Sequence, residues 1–136
     1  MSVLNILLTI IYLLLTHFIS DFIMQSDEMA KGKSTSIYWL TRHVFSYCKT
    51  FFVFAILYFF ILILCGSKCG VGEAWLIVLY IFINSGLHWV TDYFTSKQVK
   101  KYFDVQNFHI GFVVIGIDQF IHATTLILTF YFIFLK

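Results

Sequence analysis

Four long apolar stretches, none interrupted by proline, run through this chain. They extend from about Val3 to Phe22, Val44 to Cys65, Ala74 to Thr95 and Ile110 to Leu135. Each approaches or exceeds the roughly 18–20 residues an α-helix needs to cross the hydrocarbon core of a bilayer. Membrane strands are only about 9–11 residues long and alternate in polarity, which these stretches do not. The missing prolines predict straight helices and argue against the broken helices of many transporters. Only 12% of the 136 residues are charged, against about 25% in soluble domains. The 17 Phe exclude a disordered chain.

The connections are short. Gln25–Thr41 is polar and carries Asp27, Glu28, Lys31 and Lys33; Gly66–Glu73 is a glycine-rich turn; Ser96–His109 carries Lys97, Lys100 and Lys101. Short links favour antiparallel neighbours, so the expected fold is all-α: one transmembrane domain over residues 1–136, built as an up-down four-helix bundle. Lysines concentrate in the first and third connections, which the positive-inside rule assigns to the cytoplasm, leaving both termini outside. The expected location is therefore a bacterial inner membrane, multi-pass. The net charge of +2 follows from this asymmetry and is no nucleic-acid signal. The first span lacks a basic leader and a small-residue cleavage site, so it is expected to be retained. Cys48 falls within a span; Cys65 and Cys69 flank the outer turn and are read as free thiols rather than a disulfide.

Ionisable residues inside spans are costly and mark functional sites by default. Here they repeat. The first span ends His17-Phe18-Ile19-Ser20-Asp21-Phe22, and the third ends His88-Trp89-Val90-Thr91-Asp92-Tyr93. Both read His, aromatic, β-branched, hydroxyl, Asp, aromatic, at an offset of 71 residues. The match predicts two duplicated helical hairpins. His43 opens the second span, and the fourth contains Asp118 and His122. Spacing i,i+4 places the two members of each pair on one helix face. Asp118 lies eight residues beyond Ile110, about 12 Å into the span at the rise of an α-helix. Antiparallel packing then brings the polar residues of all four spans to similar depths near the cytoplasmic side.

His17, Asp21, His43, His88, Asp92, Asp118 and His122 are therefore the candidate metal ligands. Seven ligands suit two divalent ions better than one four-coordinate ion. Mixed imidazole and carboxylate ligands fit zinc best, with manganese or iron as alternatives. The three aspartates, with only Arg42 and Lys49 as neighbouring cations, would be neutralised by two such ions and one hydroxide. Single polar residues in membrane helices often only hydrogen-bond across the bundle, at about 0.6 kcal/mol each; it is the matched spacing and depth that carry the metal reading. Gln25, Lys33, His109 and Gln119 are candidates for substrate contact or for the outer shell of the centre. Among these, Lys33 is read first as a topology marker, His109 as an interfacial residue, and Gln119 as a packing residue aimed away from Asp118.

These motifs resemble a family of small bacterial and phage membrane proteins grouped as domain of unknown function 3307. The residues that carry the resemblance are His17, Asp21, Gln25, Ala30 and Lys33, then His43, then His88, Asp92, Ser96 and Lys97, and finally Gly116, Asp118, Gln119 and His122. More loosely, the chain is similar to inner-membrane proteins described as metal-dependent hydrolases, which implies a metal centre and nothing finer.

The functional expectation is metal-dependent hydrolysis of a lipid-like or phosphorylated membrane substrate. Water activated by the metal would be the nucleophile, and Asp21, Asp92 or Asp118 the catalytic base. With little beyond four helices, a homo-oligomer, most simply a dimer, is expected to complete the substrate pocket. The alternatives are an oligomeric proton or metal-ion pathway lined by the same residues, and a small phage holin-like protein.

Overall fold

A computed structural model describes residues 2–64 and 71–136. The expected glycine-rich turn, with Lys68 and the Cys65/Cys69 pair, lies outside the described residues for most of its length. Everything regular among the described residues is helical: α1 (Val3–Phe18), α2 (Asp27–Gly32), α3 (Ile37–Leu64), α4 (Val71–Asp104) and α5 (Phe108–Phe130). α1 and α5 each continue into a π-helical turn, Ile19–Ile23 and Tyr131–Leu135. Four helices are long and apolar enough to cross a membrane, so the chain is a multi-pass membrane protein. α1 packs on α3 and α5, α3 on α4, and α4 most extensively on α5. These contacts close a ring, which is the expected antiparallel four-helix bundle.

Two connections differ from expectation. The polar link after the first span contains α2, a single short helix. Its start is fixed by Ser26, whose hydroxyl accepts from the Met29 amide at 3.4 Å, and by Asp27 and Glu28 in the first turn. α3 then begins at Ile37, seven residues ahead of the expected span. The third connection is mostly helix too, since α4 runs on to Asp104. Only a tight turn remains. Gln106 adopts the left-handed conformation there, with φ of 58°. Asn107 then caps α5, its side-chain oxygen accepting from the Ile110 amide at 3.3 Å. α4 therefore extends twelve residues past Asp92, about 18 Å at 1.5 Å per residue. The end of the α4–α5 hairpin stands beside α2 and forms one wall of a cavity described below.

The bundle is inside-out relative to a soluble protein. Among the described residues, fourteen of those buried are polar or charged and eight are hydrophobic, while Phe45, Ile56, Phe82, Phe112 and Phe120 lie exposed on the outer surface. In water this would be unfavourable on both counts; in lipid, outward phenylalanines cost nothing and inward polar groups find each other. An apolar cluster of Tyr47, Phe51, Tyr80, Ile81, Leu126 and Phe130 occupies the half of the bundle away from α2, beside an apolar cavity of about 240 Å³. The cluster is tied by a reciprocal pair of hydrogen bonds between Asn84 and Thr129, at 2.9 and 3.1 Å. The polar centre lies between this cluster and α2.

Candidate metal centre

Each residue of the centre is placed by a different part of the bundle. His17 closes α1, and Asp21 sits inside the π-helical turn that follows, where the Met24 amide bonds to the Ile19 carbonyl at 2.9 Å. Such single π turns widen a helix locally and recur at functional sites. His43 lies two turns into α3; His88 and Asp92 lie mid-way along α4; Asp118 and His122 lie mid-way along α5. All seven are buried.

Six of the seven converge in two groups that share Asp21. The ligand atoms of Asp21, His43, His88 and Asp92 lie within 4.8 Å of one another, as do those of Asp21, Asp118 and His122. The first group is regular. His43 Nε2 is 3.1 Å from His88 Nε2, 3.1 Å from Asp21 Oδ1 and 3.2 Å from Asp92 Oδ2. His88 Nε2 is 3.5 Å from the same Asp21 oxygen and 3.6 Å from the same Asp92 oxygen. A tetrahedral ion with bonds of about 2.0–2.1 Å holds its ligand atoms about 3.3–3.4 Å apart. Hydrogen bonding accounts for this arrangement poorly. Two imidazole nitrogens facing each other and the same two carboxylate oxygens have at most one N–H each to distribute. A cation at the common centre would satisfy all four atoms. The Nδ1 atoms of His43 and His88 are buried without a partner among the described residues. This departs from the usual arrangement, in which a ligating imidazole donates its second N–H.

The second group is more open. His122 Nε2 is 3.4 Å from Asp118 Oδ1 and 3.3 Å from Asp92 Oδ1. Asp92 thus turns one oxygen to each group. The His88 ring stacks between Tyr47 and His122, with both centroid separations at 4.1 Å. Thr95, one turn beyond Thr91 on α4, donates its hydroxyl to Asp118.

Gln119 is the largest departure from expectation. Its amide Nε2 lies 2.8 Å from Asp21 Oδ2 and 3.1 Å from Asp118 Oδ2. Both carboxylates only accept, so the NH2 must face them, and Oε1 is left to face His17 Nε2 at 3.1 Å. His17 Nε2 then carries its proton and donates. His17 therefore supports the centre through Gln119, and its Nε2 lies outside both groups of converging atoms. Adjacency to Asp118 in sequence predicts that Gln119 points away. Its i,i+3 relation to His122, which puts both on one face, is the signal that finds it.

Lys33 is the second departure. Its ammonium is 2.8 Å from Asp92 Oδ2, with only 17% of the side chain exposed. Burial disfavours the charge, but the carboxylates of Asp92 and Asp21 outweigh it and raise the ammonium pKa above the usual lysine value. The cation beside the centre is therefore Lys33 and not the expected Arg42 or Lys49, which are exposed on α3. His109 is exposed at the start of α5 and takes no part. Gln25 lines the cavity at the centre's edge, its Oε1 buried and unpaired among the described residues.

That cavity measures about 460 Å³ and lies between α2 and the end of the α4–α5 hairpin. Asp21, Asp92, Asp118 and Gln119 line it, together with Lys33 and Ser96.

A family model described as protein of unknown function (DUF3307) matches residues 9–136. No curated protein and no solved structure matches the chain.

Proposed function

The chain belongs to the DUF3307 family, and from that premise we propose that it is a membrane-embedded metal-binding protein acting as a metal-dependent hydrolase on a lipid-like or phosphorylated membrane substrate. The observation that carries this reading is the first group of ligand atoms, in which the two imidazole nitrogens lie 3.1 Å apart and 3.1–3.6 Å from the same two carboxylate oxygens, and which shares Asp21 with a second, more open group. Asp21, His43, His88 and Asp92 would hold one divalent ion, and Asp118 and His122, with Asp21 and the second oxygen of Asp92, the other. Zinc suits the mixed ligands, with manganese or iron as alternatives. When bound, the ions supply Lewis acidity and a lowered pKa for water.

The chain's own residues do the rest. Asp118 is the carboxylate best placed to take a proton from water in the cavity: its side chain is 11% exposed, against 3% for Asp21 and 1% for Asp92. Hydrolysis would form a bond from the water oxygen to the acyl or phosphoryl centre and break the ester bond. One water proton would pass through Asp118 to the leaving oxygen. Gln119 holds Asp21 and Asp118 in place, and Lys33 holds Asp92.

The test is hydrolysis of phosphatidic acid in mixed micelles by purified protein, before and after metal stripping. The reading expects activity that is lost on stripping and restored by added zinc or manganese. Activity indifferent to stripping would overturn it.

A further inference from the structure

The cavity beside the centre carries features that the metal reading leaves unused. Ser96 lies one turn beyond Asp92 on α4, lines the cavity, and is 8% exposed. Its hydroxyl is buried with no partner among the described residues. Lys33 reaches the same wall from the segment after α2 and ends on Asp92. Charge adds a second argument. Two divalent ions and the Lys33 ammonium carry five positive charges against three carboxylates, Asp21, Asp92 and Asp118. With neutral imidazoles the filled centre is left with an excess of two, or of one while a hydroxide occupies it. A phosphate monoester carries about −1.5 to −2 at neutral pH and offers three acceptor oxygens. A volume of about 460 Å³ falls within the range of about 300–1,000 Å³ typical of ligand pockets, so more than the phosphate itself fits.

We propose that this cavity is a phosphoryl-binding site, in which the Lys33 ammonium and the Ser96 hydroxyl hold a phosphate monoester against the metal pair. The inference rests on the metal reading above and specifies its substrate class. Lys33 serves as a point charge toward phosphate, the usual role of lysine at such sites. Ser96 supplies a directed donor from a helix face already fixed by Asp92.

The test is calorimetric titration of zinc-loaded, detergent-purified protein with inorganic phosphate, with metal content measured on the same samples. Wild-type protein should bind phosphate. Lys33→Met should weaken binding about 10–100-fold, and Ser96→Ala about ten-fold, as expected for hydrogen bonds to a charged group. Ser96→Ala should keep its metal, and Lys33→Met, which removes the contact to Asp92, is read only at full metal loading. If Lys33→Met sheds metal, Ser96→Ala decides the question, because the Ser96 hydroxyl makes no hydrogen bond to any ligand among the described residues. Fully metal-loaded protein that binds no phosphate, or binds it equally well in the deciding variants, would overturn this inference and leave the metal reading standing. Protein that takes up no metal would overturn both. Competition between glycerol phosphate and phosphatidic acid in mixed micelles identifies the source: the tighter competitor shows whether the phosphoryl group arrives on a soluble ester or a lipid headgroup.

Discussion

Gln119 donates to two carboxylates and accepts from His17, so one amide sets the positions of three other side chains. Replacing it by leucine leaves Asp21 and Asp118 without donors and His17 without an acceptor. Gln119→Leu should therefore lower metal affinity by about 10–100-fold, the usual cost of losing a group that orients ligands, in a protein that still folds. Chelator competition on the purified variant measures this, and unchanged affinity would remove Gln119 from the role. Asp92→Asn should cost more than any histidine variant, because Asp92 faces both groups and Lys33 at once. Metal analysis of Asp92→Asn beside His122→Ala makes that comparison. At this scale the sequence is partly readable. The His/Asp pairs at i,i+4 stand out because charge is rare in apolar spans. Lys33 does not, since its contact with Asp92 spans 59 positions and depends on where a short helix lies.

α4 and α5 form the hairpin that carries four of the seven candidate ligands, and their close approach rests on Gly111. A Cβ placed there would overlap the Phe103 ring. Gly111→Ala must therefore push the ring or the helix aside. It should destabilise the protein by about 1–3 kcal/mol, as overpacking does. Gly116, where an added Cβ would meet nothing within 4 Å, is the control. Gly116→Ala should be neutral or stabilising by up to about 1 kcal/mol, the helix preference of alanine over glycine. Thermal unfolding in detergent compares the two. The four spans are legible in the sequence because length and hydropathy follow directly from bilayer thickness. The ends of α3 and α4 are not, because hydropathy marks where apolar surface stops and not where a helix stops. Residues 96–104 are polar yet helical, held by a Lys100–Asp104 pair at 2.8 Å and by Lys97 over the Tyr93 ring at 3.3 Å. That polar extension builds the wall of the cavity.

The molecule as a whole is an apolar shell around a polar centre, and the lysine asymmetry predicts its orientation. Reporter fusions at Lys33 and Lys136 should read cytoplasmic and external respectively; the reverse would place the cavity on the outer face and exclude a cytoplasmic substrate. The central claim is that the converging histidines and aspartates hold metal. Elemental analysis of protein purified in detergent without chelator tests it most directly. The account predicts two divalent ions per chain, one for each group of ligands, and their loss in His88→Ala. A metal-free protein whose His88→Ala variant is as stable as the wild type would contradict it.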